Sequence, residues 1–360
     1  MTFVYFIVGL ALLVIGAELL VRGASRLALA VGVSPLVIGL TVVAYGTSAP
    51  EVAVSVSAAF GGQADIAVGN VVGSNIFNVL FILGVSALIV PLVVNRQIIR
   101  QEVPIMIGVS ALFIALGWDG RIGPFEAALF LFLLVAYTTF LVVQSRREIK
   151  AGNMGLSDDE MSLTANGWSS SRLVQVGMVI AGLACLVAGA RLLVAASVAF
   201  AQALGVSDLV IGLTIVAAGT SLPEVATSIT AAIKGERDIA VGNVIGSNTF
   251  NILGALGLSG VAAGTGGLGV APSVMAFDIW VMLATAVACI PIFLTGREIA
   301  RWEGAVFVAY YVFYVTYLVL AAEQHEALTT VTTAMVYFVI PLTVVTAAAV
   351  YLRSSKGANV

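Results

Sequence analysis

Hydrophobic positions in this chain are grouped into long runs, and polar positions are gathered in the short segments between them. Each run has about 20 residues, the length that an α-helix needs to cross the hydrocarbon core of a bilayer. The predicted spans lie near residues 3–24, 35–60, 66–90, 102–118, 122–144, 173–196, 208–232, 239–263, 274–295, 302–321 and 333–352. The pattern therefore predicts an all-α polytopic membrane protein.

The longest polar stretch, residues 145–172, separates the first five predicted spans from the six that follow. We interpret residues 1–144 and 173–322 as two halves, joined by a cytoplasmic linker at 145–172 and followed by an extra transmembrane helix and tail at 323–360. The linker contains the acidic run Asp158, Asp159 and Glu160, for which a regulatory cation site is the alternative to a simple solvated segment.

Basic residues predict the orientation of the chain in the membrane. If the N-terminus is outside, fourteen of the sixteen lysines and arginines fall on the inner side, and only Arg121 and Arg191 fall outside. This asymmetry follows the positive-inside rule. We expect an outside N-terminus, a cytoplasmic C-terminus and a first span that is not a cleaved signal, since no basic residue precedes it.

An internal repeat relates the two halves. Residues 39–84 align without a gap to residues 212–257 at a constant offset of 173, including the blocks GTSxPE and GNxxGSNxFN. Five spans separate equivalent points, and because five is odd the second copy must be inserted upside down. Inverted repeats with a binding site near the bilayer midplane are typical of secondary transporters.

Composition narrows the class further. The chain is 60% hydrophobic and only 10% charged, with a mean hydropathy of +1.10, whereas soluble domains carry about 25% charged residues. This excludes a soluble enzyme, a nucleic-acid-binding protein and a disordered scaffold. Cys185 and Cys289 lie in apolar segments and His325 lies in a loop without neighbouring ligands, so we expect no cofactor held by these residues.

Two glutamates carry the chemistry that the sequence suggests. Glu51 and Glu224 end the GTSxPE runs near the middle of apolar spans, where a carboxylate is costly unless a cation or proton neutralises it. Pro50 and Pro223 interrupt the helical hydrogen bonding and free carbonyl oxygens beside them. Carboxylate, hydroxyl and carbonyl oxygens together are hard donors that suit Na⁺ and Ca²⁺.

The span after each glutamate adds neutral oxygens. Positions spaced by four residues form one polar stripe on a helix, and both repeats contain such a stripe with a further asparagine beside it. Its members are Asn70, Ser74, Asn78 and the adjacent Asn75, and in the second copy Asn243, Ser247, Asn251 and the adjacent Asn248. We expect folding to bring both glutamates to one central site, whose two charges would balance one Ca²⁺ or two Na⁺.

These motifs resemble those of the cation/calcium exchanger superfamily, specifically its bacterial and archaeal sodium/calcium antiporters. The resemblance implies ten helices in two inverted five-helix repeats, to which 333–352 would be an extra C-terminal transmembrane helix. It also implies a set of ion-contacting positions, which are Glu51, Glu224, Thr47, Ser48, Thr220, Ser221, Ser74, Asn78, Ser247, Asn251, Ala44 and Ala217. The two alanines correspond to positions that offer backbone carbonyls.

Departures from the family pattern bear on the coupling ion. Potassium-dependent members, and some independent ones, carry aspartate where this chain has Asn251, so K⁺ transport is disfavoured here. Calcium/proton exchangers carry glutamate where this chain has Gly73 and Gly246, so protons lack an evident carrier other than Glu51 and Glu224.

We therefore predict a sodium/calcium antiporter of a prokaryotic cytoplasmic membrane that exports Ca²⁺ by alternating access. Proton-coupled or K⁺-dependent exchange on the same fold is the alternative, followed by a passive cation channel. An intramembrane hydrolase is disfavoured because the spans contain no histidine and no paired-aspartate motif, so we do not expect an enzyme. The expected partners are Na⁺, Ca²⁺ and the lipid bilayer, with no nucleic acid. The sequence does not determine the oligomeric state, and a monomer is one state that is consistent with it.

Overall fold

The structure, a computed structural model, describes residues 2–151, 171–204, 217–323 and 327–334, which are almost entirely helical. The helices are α1 (Thr2–Val31), α2 (Pro35–Thr47), α3 (Ala49–Phe60), α4 (Ala64–Ile89), α5 (Ile98–Leu116), α6 (Pro124–Lys150), α7 (Arg172–Ala203), α8 (Ala217–Gly219), α9 (Leu222–Ile233), α10 (Arg237–Ala262), α11 (Val274–Leu294), α12 (Arg301–Ala322) and α13 (Ala327–Ala334).

Two short antiparallel strand pairs join the halves at their ends. Strand β1 (Leu92–Val93) pairs with β4 (Glu298–Ile299), and β2 (Arg121–Ile122) pairs with β3 (Leu268–Gly269). Each pair contains one strand from each half of the chain, so both hold the first half against the second.

Within the described ranges, eight helices are long and apolar enough to cross a membrane, and the bent pair α2–α3 would make a ninth. The predicted span 208–232 is described only from residue 217 onward, where it contains α8 and α9. The predicted extra span 333–352 lies outside the described residues except for its first two positions. An all-helical membrane protein is thus confirmed, whereas ten spans plus one remains a prediction.

Several helices extend beyond their predicted ends. The prediction placed the first span at 3–24 and the sixth at 173–196, but α1 has 30 residues and α7 has 32. Helix α6 continues to Lys150, so its last turns lie in the stretch expected as linker. Hydropathy marks only the part of a helix inside the hydrocarbon core, and a helix can continue into the polar interface.

Helices α1 and α7 pack against each other through glycines. Gly9 lies against Gly189 and Gly16 against Gly182, and a Cβ atom added at Gly16 would come within 2.8 Å of the Gly182 carbonyl oxygen. Both helices therefore approach to backbone contact, as small residues allow in membrane helix pairs.

Helices α4 and α10 form the buried centre of the molecule. From Ile239 to Thr249 every residue of α10 is buried, and its Gly246 lies against the backbone of Leu40 in α2. Each central helix changes to π-helical geometry at matching asparagines, with segments at Asn78–Leu83 in α4 and Asn251–Leu256 in α10. Such widened turns are frequent at functional sites.

Candidate cation site

The two GTSxPE motifs form matched interruptions of the helices near the centre. Helix α2 ends at Thr47 and α3 begins at Ala49, with a bend of 46° between them. Ser48 lies at the break with φ −79° and ψ 7°, and Ser221 lies before α9 with φ −88° and ψ 8°. Pro50 and Pro223 follow at the second helical position, where a missing N–H costs no hydrogen bond. The predicted interruptions are present at both copies.

Glu51 and Glu224 lie in the first turns of α3 and α9, and both are fully buried. Their hydrogen bonds cross between the repeats. The Ser48 hydroxyl donates to Oε1 of Glu224 at 2.8 Å, and the Ser221 hydroxyl donates to Oε1 of Glu51 at 2.7 Å. The fold therefore brings both carboxylates to one place, each held by the serine of the other repeat.

The threonines of the motifs also contact the opposite repeat. Thr47 Oγ1 donates to Oδ1 of Asn243 at 3.1 Å, and the Asn243 amide donates to Ser228 at 2.9 Å. In the matching series of hydrogen bonds, Thr220 Oγ1 donates to Oδ1 of Asn70 at 3.4 Å, and the Asn70 amide donates to Ser55 at 3.0 Å. Because Asn70 and Asn243 orient these threonines, they form the outer support of the site.

The remaining predicted serines lie beside the same groups. The hydroxyls of Ser74 and Ser221 are 3.3 Å apart. Ser247 Oγ donates to the carbonyl oxygen of Ala44 at 3.4 Å, and Thr47 Oγ1 lies 3.3 Å from the same oxygen. Ala217, the counterpart of Ala44, is the first residue of α8.

Four oxygen atoms at the centre are buried acceptors that receive no hydrogen bond from the part of the chain that the structure describes. They are Oε2 of Glu51, Oε2 of Glu224, Oδ1 of Asn78 and Oδ1 of Asn251. Buried polar atoms are normally paired, and an unpaired one is costly. A buried oxygen that accepts no hydrogen bond can coordinate a cation instead, so these four atoms fit the ligands of a cation site.

Another buried carboxylate shows the contrast. Glu102 in α5 is also fully buried, but its Oε2 accepts from Tyr137 at 2.7 Å and its Oε1 accepts from Gln97 and Gln101 at 3.0 and 2.7 Å. Its oxygens are occupied by donors of the protein, so it acts as a structural group between α5 and α6.

The described residues contain no group of three or more histidine, cysteine, aspartate or glutamate side chains able to hold a metal. The candidate site thus combines two carboxylates with neutral oxygens. Cys289 is buried on α11 and Cys185 is half-buried on α7, while His325 lies outside the described residues.

Two residues that contact the predicted ligands were absent from the predicted set of ion-contacting residues. Asn75 and Asn248 lie beside the polar stripes and contact each other across the centre. Their occurrence at matched places in both repeats was the available signal. A spacing pattern alone does not tell a ligand from a neighbour that holds the ligand.

Comparison with known proteins identifies a matching family and several relatives of this chain. The family model described as sodium/calcium exchanger protein matches residues 1–143 and 174–320. The chain is 39% identical to the putative antiporter CaxA of Alkalimonas amylolytica over 86% of this chain and 96% of the relative. It is 36% identical to the sodium/calcium exchanger MaX1 of Methanosarcina acetivorans over 88% and 98%.

A solved structure of the sodium-calcium exchanger NCX_Mj superposes with a TM-score of 0.73 at 31% identity, covering 88% of this chain and 97% of that one. The family match extends over most of both halves, and the structural likeness covers 88% of the chain. The chain belongs to the sodium/calcium exchanger protein family.

Proposed function

We propose that this protein is an antiporter that exports Ca²⁺ in exchange for Na⁺. The observation that carries the proposal is the pair of fully buried glutamates, each retaining one oxygen without a donor in the described residues, beside two asparagine oxygens in the same condition. The family match and the exchangers named among its relatives support the choice of ions.

The charge of the site supports competition between the two ions. Two carboxylates are neutralised by one Ca²⁺ or by two Na⁺, and any further Na⁺ would be held by neutral oxygens. Carboxylate, amide and hydroxyl oxygens are the ligands that Ca²⁺ accepts in flexible geometry. One pocket that both ions can neutralise is the physical basis of exchange.

In this proposal the ion-contacting groups are those predicted from the sequence. Glu51 and Glu224 supply the charge, and the uncharged oxygens come from Thr47, Ser48, Ser74, Asn78, Thr220, Ser221, Ser247, Asn251 and the backbone carbonyls of Ala44 and Ala217. The cross-repeat hydrogen bonds of Ser48 and Ser221 support a site shared by both halves.

We infer a topology of ten spanning helices in two inverted halves with an extra C-terminal span, an outside N-terminus and a cytoplasmic C-terminus, in a prokaryotic cytoplasmic membrane. The alternating placement of the basic residues supports this orientation. Cysteines introduced singly at Arg121 and Arg237 test it, because a membrane-impermeant thiol reagent added outside intact cells should label the first position and spare the second.

Alternating access would move the α1–α7 pair relative to the central helices. The pair meets through glycine backbones, whereas the centre is joined by directional hydrogen bonds. An empty pocket would contain two uncompensated carboxylates in a medium of low dielectric constant, and this cost opposes the movement unless ions are bound. Because the helices would move only when ions are bound, the Na⁺ flux and the Ca²⁺ flux are coupled.

The experiment is calcium uptake into vesicles containing the purified protein, with Na⁺, H⁺ and K⁺ gradients imposed one at a time. We expect uptake against the Ca²⁺ gradient when Na⁺ is high inside, independent of K⁺ and of a pH gradient. Uptake that ignores Na⁺ and follows pH would replace Na⁺ by H⁺ as the coupling ion. Only downhill Ca²⁺ movement would indicate a channel.

A further inference from the structure

Asn75 of α4 and Asn248 of α10 form a reciprocal contact at the centre of the molecule. The Asn75 amide nitrogen donates to the backbone carbonyl of Asn248 at 3.1 Å, and the Asn248 amide nitrogen donates to the backbone carbonyl of Asn75 at 3.2 Å. Both side chains are at most 2% exposed. We call this pair the asparagine clasp.

The clasp residues use their amide oxygens to hold two of the candidate ligands. Asn251 donates its amide nitrogen to Oδ1 of Asn75 at 3.0 Å, and Asn78 donates its amide nitrogen to Oδ1 of Asn248 at 3.0 Å. Each clasp residue therefore reaches one asparagine of the site, and the two contacts are related by the internal repeat.

These contacts determine which end of each amide faces which neighbour. A backbone carbonyl can only accept, so the amide nitrogen of a clasp residue must face it. The amide oxygen of each clasp residue then faces Asn251 or Asn78, which must donate to that oxygen through its own amide nitrogen. The oxygens of Asn78 and Asn251 are consequently turned away from the clasp, and these are two of the four buried acceptors that lack a donor among the described residues.

Sulfur contacts complete the clasp. The Asn75 amide nitrogen lies 3.7 Å from Sδ of Met282, and the Asn248 amide nitrogen lies 3.6 Å from Sδ of Met106. Both N–H groups of each clasp amide are thus directed to neighbours from other helices. A rotation of the amide by half a turn would break these contacts, so they hold the amide in one orientation.

We propose that Asn75 and Asn248 are positioning residues that make Asn251 and Asn78 present oxygen, rather than N–H groups, to the transported cations. An amide turned the other way would direct its positive N–H groups at the ion. The clasp also favours an uncharged donor at position 251, since a carboxylate there would place two acceptors 3.0 Å apart. The fixed charge of the site is thereby kept at that of its two glutamates. This inference rests on the proposed function of the site as a cation pocket.

A double-mutant cycle tests the positioning role. Asn75→Ala, Asn251→Ala and the double variant are compared by the Ca²⁺ concentration that gives half-maximal Na⁺-driven uptake. We expect each single change to raise that concentration about tenfold, the size of one lost hydrogen bond or ligand in a buried site. The double variant should be no worse than Asn251→Ala, because Asn75 has nothing left to orient.

The repeat supplies a matched control. Asn75→Ala combined with Asn78→Ala joins a clasp residue to the asparagine that it does not hold, and these effects should multiply to about a hundredfold. If instead Asn75→Ala and Asn251→Ala also multiply, Asn75 only supports the packing of α4 and α10, and the proposal is overturned.

Two complications have defined outcomes. If Asn75→Ala is not monodisperse, the cycle of Asn248→Ala with Asn78→Ala is used, with the same expectation and with Asn251→Ala as its crossed control. If the unmodified protein shows no Na⁺-driven uptake, the proposed function fails by itself. The same variants are then compared by calorimetric titration with Ca²⁺ and with Na⁺, where coupled effects support the clasp and multiplied effects refute it.

Discussion

The central helix pair of this molecule, α4 with α10, and the peripheral pair, α1 with α7, are held together in different ways. Helices α4 and α10 are joined by hydrogen bonds between buried amides, and helices α1 and α7 meet through glycines at backbone contact. Hydrogen bonds require a narrow range of distance and angle, so they hold α4 and α10 in one register. Contacts between glycine faces are less directional, which suits the movement that we propose for this pair relative to the site.

The pairs also differ in symmetry. The contacts of the central pair occur twice, at positions 173 residues apart. At the periphery, α1 is tied to the turn after α9 by an ion pair of Glu18 with Lys234 at 2.5 Å and by a hydrogen bond from Ser25 to Glu236 at 2.9 Å. The counterparts of Glu18 and Lys234 are Arg191 and Gly61, which cannot form an ion pair. The central contacts are therefore equivalent in the two repeats, whereas the ion pair at the periphery occurs in only one of the two matching positions.

That difference is visible beside the first motif. Arg191 is exposed on α7 and lines an apolar groove of about 670 Å³ together with Gly46, Ala49 and Leu183. Glu18, in the middle of α1, instead forms its ion pair with Lys234, which directly follows α9. Changes in the central pair should alter ion binding, whereas changes in the peripheral pair should alter the rate of movement.

The largest effect is expected from the charge of the central site. Glu51→Gln or Glu224→Gln should lower Na⁺-driven Ca²⁺ uptake at least about a hundredfold, because one carboxylate cannot balance Ca²⁺ in a buried site. The uptake rate in vesicles measures it, and Asp65→Asn, an exposed acid at the start of α4, should leave the rate unchanged. Normal uptake by Glu51→Gln would remove that residue from the site.

A methyl group between α1 and α7 should give the next largest effect. A Cβ at position 16 would lie 2.8 Å from the Gly182 carbonyl oxygen and 2.8 Å from the Leu186 nitrogen. We expect Gly16→Ala to lower the maximal turnover about tenfold, since helices this close tolerate little added volume. The Ca²⁺ concentration for half-maximal uptake should stay nearly constant.

Exposed Gly177 on α7 provides the matched control, and its change to alanine should affect neither quantity. Should Gly16→Ala instead weaken Ca²⁺ affinity at normal turnover, the division between binding and movement that we draw from the two helix pairs would be wrong.

The equivalence of the two repeats predicts a smaller, paired effect. Ser48→Ala and Ser221→Ala each delete one cross-repeat hydrogen bond to a glutamate, of 2.8 and 2.7 Å. Each should raise the half-maximal Ca²⁺ concentration about fivefold and by similar factors, as expected for the loss of one hydrogen bond worth about 1 kcal/mol. Ser110→Ala, which loses only a bond to the Met106 carbonyl of its own helix, should have no effect. Strongly unequal results for the two serines would contradict a shared site.

The smallest effect is expected from the tie between α1 and the α9 turn. Lys234→Gln should change the maximal turnover about twofold, because a partly exposed ion pair contributes little and is screened by salt. Arg237→Gln, an equal loss of charge at an exposed position of the same turn, should leave turnover unchanged. Turnover compared at low and high ionic strength checks this, and the difference between the variants should shrink as salt rises.

Much of the helical framework follows from hydropathy. The predicted spans 66–90 and 239–263 correspond to α4 at Ala64–Ile89 and α10 at Arg237–Ala262. The prediction fell short for α1, whose C-terminal turns run past residue 24 to Val31. Those turns contain charged and hydroxyl residues, among them Ser25, which bonds to Glu236 across the fold. A hydropathy pattern cannot register a partner that is distant in sequence.

The amino-acid sequence by itself determined the membrane class, the internal repeat and the two glutamates inside apolar runs. Hydropathy, duplication and a charge inside an apolar run are all properties of the linear chain. Only the tertiary structure decided that each glutamate is held by the serine of the other repeat, and that Asn75 and Asn248 face each other while Asn78 and Asn251 keep free oxygens within the described part of the chain. These pairings depend on how two helices from opposite halves rotate and mesh, and that is settled by packing between residues more than a hundred positions apart.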